Sequence, residues 1–268
     1  MKFPRNKQYQ ALYLSDVHYL LNKKIKNHSH KELFQLLDHL SRRGVRFQNL
    51  YLVGDILESW YFNAASKLKK GQKRFNRLFD RLDVLVLDGG RKYFIVGNHD
   101  TTSFTMRLST RIEQYLNERG WRIRERVQTR DVVAVHGHQG QYTRFSWAYH
   151  IAIVRLLHGA ARLFPALFRV AEDFYNRHLN RVDPVTTQEK LAYYRRLSQV
   201  AGQGNRVLIS GHTHDFLCIP ELQIINTGDW VDSRTFVIEK KGSFVGLRMK
   251  GRKQFERVFR LRKVPLED

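Results

Sequence analysis

Five apolar runs in this chain each stop on Asp, Asn or His: SDVH at 15–18, GDILE at 54–58, GNHD at 97–100, HGHQ at 136–139 and GHTH at 211–214. A run without polar alternation fits a strand buried on both faces, the usual state of a parallel strand covered by helices. A polar residue at the end of each run puts chemistry at the carboxyl edge of such a sheet, where open α/β folds bind their ligands. Between the runs, HKELFQLLDHLSRRG has helical spacing and stops at Gly44, and RFNRLFDRLDVLVLDGG reads as a second helix closed by Gly89-Gly90. The rhythm is strand, helix, strand, helix, strand, which predicts β-α-β units and an α/β class.

After residue 220 the pattern turns strand-like, in LQIINTGDW and TFVIEKKGSFVGLRMKG, with Gly242 marking a hairpin in a second sheet or at a sheet edge. Residues 142–202 break the rhythm with aromatic and arginine-rich helical segments. The expected organisation is therefore a core over 1–141, a helical cap or lid over 142–202, and the core again over 203–268. Arg155, Arg162 and Arg169 recur every seven residues, and with Arg144 they form one basic stripe beside Phe145, Trp147 and Tyr149. That stripe reads either as an interfacial membrane helix or as a hairpin whose apolar side packs on the core. Pro165 ends or kinks the helix near Phe164 in both readings.

A 42% hydrophobic and 12% aromatic chain of 268 residues supports a folded core. Its formal charge of +22 calls for a polyanionic partner: nucleic acid, anionic lipid or a phosphorylated substrate. Cys218 is the single cysteine, so no internal disulfide forms, and its apolar neighbours make it a small buried hydrophobe. The start MKFPRNKQYQ has no apolar signal region, which leads us to expect a cytoplasmic protein, held peripherally at the inner membrane by its basic surface.

Collected at one edge, Asp16, His18, Asp55, Asn98, His136, His212 and His214 offer seven oxygen and nitrogen donors and no thiolate. That set suits hard or borderline divalent ions such as Mn²⁺, Fe²⁺ or Zn²⁺ and is too large for one tetrahedral centre. Two ions about 3.5–4 Å apart clamp a phosphoryl group for in-line attack by an activated water. In an extended ending, His212 and His214 point the same way and Thr213 points away.

The order D-x-H, GD, GNHD, H, GHTH resembles the calcineurin-like metallophosphoesterase family over residues 12–214. The resemblance implies a four-layer αββα sandwich of two mixed β-sheets. It further implies one ion, Mn²⁺ by preference, on Asp16, His18 and His214, a second on Asn98, His136 and His212, and Asp55 between them. His99 would then face the phosphate, stabilising its charge or protonating the leaving group, with Asp100 orienting the ring. Spacing does not choose between His136 and His138. The family motif favours His136 and leaves His138 facing substrate or supporting a ligand.

LVGDILESW at 52–60, INTGDWVDS at 225–233 and the insertion before GHTH are similar to UDP-2,3-diacylglucosamine pyrophosphatases of lipid A biosynthesis. That resemblance implies an acylated sugar-nucleotide substrate, although His99 stands where arginine is usual there. A nuclease or cyclic-nucleotide phosphodiesterase of the same superfamily, with the charge serving nucleic acid, is the alternative. A non-catalytic metal-binding scaffold is a third reading, and the complete donor set opposes it.

Overall fold

Strand β1 (Gln8–Leu14) alternates between two cores: Leu12 and Leu14 lie in the cluster beneath the first helices, whereas Ala11 and Tyr13 lie in the cluster between two sheets. The same period of two sorts β2 (Arg46–Val53) and β3 (Val86–Ile95), with Leu50, Leu52 and Phe94 on one side and Tyr51, Val53, Tyr93 and Ile95 on the other. The computed structural model describes residues 2–19, 29–59, 64–101, 107–140, 187–251 and 253–263. The arginine stripe and most of the expected 142–202 insertion lie outside the described residues.

The larger sheet has the order β12-β11-β10-β1-β2-β3-β4, with β4 at Trp121–Arg124, β10 at Thr235–Lys240, β11 at Ser243–Gly251 and β12 at Gln254–Arg262. Strands β1 to β4 run parallel, and β10 to β12 are antiparallel. The smaller sheet has the order β5-β6-β7-β9-β8, formed by Arg126–Gln128, Val132–Val135, Val207–Ser210, Ile224–Thr227 and Phe216–Ile219. Parallel β6-β7-β9 pairs are flanked there by antiparallel β5 and β8.

Helices α1 (Ser29–Arg42), α2 (Ala64–Asp83) and α3 (Thr110–Glu118) cover the outer face of the larger sheet. Their buried residues follow the helical period, Leu33, Leu36, Leu37 and Leu40 in α1 and Phe75, Leu78, Phe79 and Leu82 in α2. Helix α4 (Thr187–Ala201) seats Tyr193, Tyr194, Leu197 and Ala201 on Val133, Val135, Leu208 and Ile224 of the smaller sheet. The result is helix, sheet, sheet, helix: the four-layer αββα sandwich of two mixed sheets.

One sequence expectation is corrected here. The second helix ends at Asp83, and Gly89-Gly90 lie inside β3. The helical spacing stops at Leu82, the apolar Val84–Leu87 run belongs to a turn and strand, and the glycines relieve a register shift against β2. A Cβ on Gly90 would come within 2.7 Å of the Gln48 carbonyl. The Gly242 hairpin is present as expected at a sheet edge: β10 to β12 extend the larger sheet and end it at β12, while β9 pairs with β8 in the smaller sheet.

Candidate metal centre

Each of the five polar endings leaves a strand at one edge of the sandwich. The larger sheet supplies Asp16 and His18 after β1, Asp55 after β2, and Asn98, His99 and Asp100 after β3. The smaller sheet supplies His136 and His138 after β6, and His212 and His214 after β7. The endings are tied by their backbones: Asp16 N donates to Gly54 O at 3.0 Å, His18 N to Asp55 O at 2.9 Å, and Gly211 N to His136 O at 2.8 Å.

Asp16, His18, Asp55, His212 and His214 all have positive φ, between 45° and 75°. Side-chain-bearing residues avoid this region, and backbone strain of this kind gathers at functional sites. The extended geometry expected for His212 and His214 is therefore wrong: β7 stops at Ser210 and the pair lies on a left-handed loop. Thr213 is buried between them, with its hydroxyl 3.3 Å from that of Tyr194.

Three donor groups emerge: Asp16 with His18 and His214, Asp55 with His136 and His212, and His18 again with Glu58 and His99. Within each set one ligand atom per residue lies within 4.8 Å of the others. His214 Nε2 is 3.4 Å from Asp16 Oδ1, and His136 Nε2 is 3.0 Å from Asp55 Oδ2 and 3.1 Å from Asn98 Oδ1. His136 turns Nδ1 to Val53 O at 2.9 Å, an arrangement that leaves Nε2 as its ligating atom. His18 turns Nδ1 to Glu58 at 3.0 Å, and its buried Nε2 has no hydrogen-bond partner. A buried unpartnered imidazole nitrogen beside a buried carboxylate fits a divalent cation.

Glu58 is the residue that sequence reasoning missed. Its carboxylate meets His18 Nδ1 and also His99 Nδ1, at 3.0 and 3.1 Å, and it is 5% exposed. The available signal was a second acid, three residues after Asp55, inside the stretch LVGDILESW. Glu58 thus takes the orienting task assigned to Asp100. Asp100 instead accepts the backbone N–H groups of Asp55, Leu57 and Gly97 at 2.9, 2.7 and 2.8 Å, and so fixes the Asp55 loop.

Gly97 and Gly54 allow close approach. A Cβ on Gly97 would fall 2.2 Å from Asp55 Oδ1, and one on Gly54 would fall 2.3 Å from His136 Nδ1. His138 is also at the centre, its ring 5.6 Å from that of His136 and 6.2 Å from that of His212.

Burial raises the Asp55 carboxyl, but the facing His136 and His99 outweigh it and hold the group well below the usual carboxylate range. Burial and the Asp55 charge raise Asp100 to about 8, against its three N–H donors. Burial lowers the imidazoles, yet Glu58 and Asp55 lift His99 to about 9, Asp55 and Asp16 lift His136 to about 9, and Asp16 lifts His214 to about 9. His138, buried beside the His136 charge, falls to about 3. The acidic core of the site attracts positive charge, and the same field favours divalent ions.

Among the described residues no helix is long and apolar enough to cross a membrane. No curated protein matches the chain. A solved structure of a dimetal phosphatase from Danio rerio is similar over 96% of this chain and 99% of its own, at 12% identity and a TM-score of 0.44, a likeness too distant to carry an argument. The profile of the calcineurin-like phosphoesterases matches residues 10–216, the span that holds all five polar endings. The chain belongs to the calcineurin-like phosphoesterase family and is a metal-dependent hydrolase.

Proposed function

We propose that the protein hydrolyses the pyrophosphate of UDP-2,3-diacylglucosamine or of a related lipid-linked substrate, at the cytoplasmic face of the inner membrane. The observation that carries the phosphoester chemistry is the pair of adjoining donor sets with His99 alongside them. In this reading Asp16, His18 and His214 hold one divalent ion, Asn98, His136 and His212 hold the other, and Asp55 lies between. Bound there, the ions, Mn²⁺ by preference, would supply Lewis acidity toward a phosphoryl oxygen and lower the pKa of a water.

The chain's own residues do the rest. Asp55 Oδ1 accepts the His99 backbone N–H at 2.7 Å, so the imidazole is carried beside the donor sets. Glu58 occupies Nδ1 of that ring, and the proton at Nε2 is the one available to the leaving oxygen as its bond to phosphorus breaks. In the metal-free protein Glu58 and Asp55 lift His99 to about 9, which favours the protonated ring.

The sugar-nucleotide substrate rests on LVGDILESW, INTGDWVDS and the insertion expected over 142–202, of which the described part, α4, seats on the smaller sheet. A charge of +22 supports an anionic partner, either a membrane surface or the backbone of a nucleic acid. Purified protein with Mn²⁺ is expected to release UMP and lipid phosphate from the diacylated UDP-sugar. Asp55→Ala is expected to abolish both metal uptake and turnover. Rapid cleavage of nucleic acid or cyclic nucleotides with no action on the UDP-sugar would transfer the assignment to the phosphodiesterase alternative.

A further inference from the structure

We propose that α4 is a strut for the metal centre, with Tyr193 and Tyr194 as positioning residues that hold the two histidine loops, 136–140 and 211–215, at a fixed separation. The proposal rests on the metal-centre reading above and adds to it the residues that set its geometry from outside.

Going along α4, contacts alternate between the loops. Lys190 Nζ pairs with Asp215 Oδ2 at 2.9 Å, Tyr193 donates to Gly137 O at 2.9 Å, Tyr194 lies 3.3 Å from Thr213 Oγ1, and Arg196 Nε reaches Gly140 O at 3.4 Å. Successive positions on a helix are rotated by about 100°, so two adjacent tyrosines reach two different loops from one turn. Tyr194 also accepts from Asn226 Nδ2 at 3.0 Å, and the same amide donates to Gly211 O at 2.7 Å.

The junction has no slack. Gly137 has φ of +128°, and a Cβ there would lie 2.9 Å from the Tyr193 hydroxyl, 3.0 Å from His212 Cβ and 3.2 Å from Gly211 O. A Cβ on Gly140 would lie 2.9 Å from Leu197 Cβ. Both tyrosines are buried, and their helix is seated on β6 and β7, the strands that carry the loops. If the hydroxyls merely satisfied buried polar groups, partners on any nearby element would serve. Here they reach Gly137 and Thr213, each next in sequence to a histidine at the centre.

The test uses the full chain with Tyr193→Phe, Tyr194→Phe and, as a control, Tyr115→Phe, which loses a hydroxyl bonded to Asn76 at 2.8 Å on the far side of the larger sheet. Two quantities are measured: Mn²⁺ affinity by calorimetry, and amide hydrogen exchange of both loops in metal-free protein. Each strut variant is expected to weaken Mn²⁺ binding by about tenfold or more and to speed exchange in both loops, including the one whose bond it left intact. The control is expected to change neither quantity. Wild-type Mn²⁺ affinity in both strut variants, or faster exchange confined to the loop that lost its own bond, would overturn the strut. Failure of the wild-type protein to take up Mn²⁺ would instead overturn the metal-centre reading, and the exchange measurement would still decide whether α4 couples the loops.

Discussion

The Glu58 carboxylate lies 3.0 Å from His99 Nδ1, and with the same oxygen it reaches His18 Nδ1 at 3.0 Å. One buried acid therefore sets the tautomer of a candidate ligand, His18, and of His99. Glu58→Gln is expected to lower kcat by about 100-fold and metal affinity by about tenfold, with little change in KM. In the metal-free protein Glu58 and Asp55 raise His99 to about 9, and the proposed general-acid step needs the proton that the ring loses above that limit. Removing the Glu58 charge lowers that limit, and the alkaline limb of the kcat profile is expected to move to lower pH.

Metal uptake is expected to release protons. His136 and His214 are each raised to about 9, so both carry a proton at pH 7, whereas a metal ligand must be neutral. In the metal-free protein these raised imidazoles contribute stability that is complete below about 6.5 and lost as pH rises through about 9. Metal affinity has the opposite slope and grows with pH up to about 9. Calorimetry of Mn²⁺ binding in buffers of different ionisation enthalpy reports the proton count, and a count of zero at pH 7 would contradict the assignment.

Gly97→Ala tests the close approach at the centre. The new Cβ would meet Asp55 N at 2.3 Å as well as Asp55 Oδ1, and the loop cannot yield without breaking the three N–H bonds to Asp100. A loss of about 1–3 kcal/mol in urea unfolding is expected, together with loss of metal binding. Alanine at the open Gly242 turn, where no atom lies within 4 Å of a new Cβ, is expected to leave metal binding intact.

Between the sheets, Tyr13 donates to Glu239 at 2.7 Å, and both residues are buried. Tyr13→Phe leaves that carboxylate without its donor and is expected to cost about 1–3 kcal/mol. Glu239 is raised by burial, so its contribution is greatest at low pH and fades as pH rises. Glu239→Gln keeps an oxygen acceptor for Tyr13 and removes the charge, and is expected to flatten that dependence in denaturant titrations.

The polar ends of the apolar runs were legible because a strand buried on both faces has few uses for Asp, Asn or His until it reaches its edge. Glu58 was not, because its partners His18 and His99 come from different strands and meet it only in the folded protein. Asp100 misled by adjacency: it follows His99 in the chain, yet its oxygens are taken by backbone N–H groups of the neighbouring loop. The left-handed conformations of His212 and His214 are set by tertiary demands on the loop and leave no mark in composition. Gly89-Gly90 was read as a helix stop because glycine also serves strand irregularities, and only the pairing with β2 separates the two uses.

Two of the donor sets draw on both sheets: Asp16 and His18 from the larger with His214 from the smaller, and Asp55 from the larger with His136 and His212 from the smaller. A divalent ion in either set is thus a cross-link between layers, comparable to an inter-sheet disulfide but reversible and titratable. Neither sheet can assemble the centre before the two have docked, which makes metal capture a marker for the last step of folding. Chelation is a way to loosen the sandwich at its catalytic edge alone, leaving the hydrophobic contacts between the sheets to hold the rest.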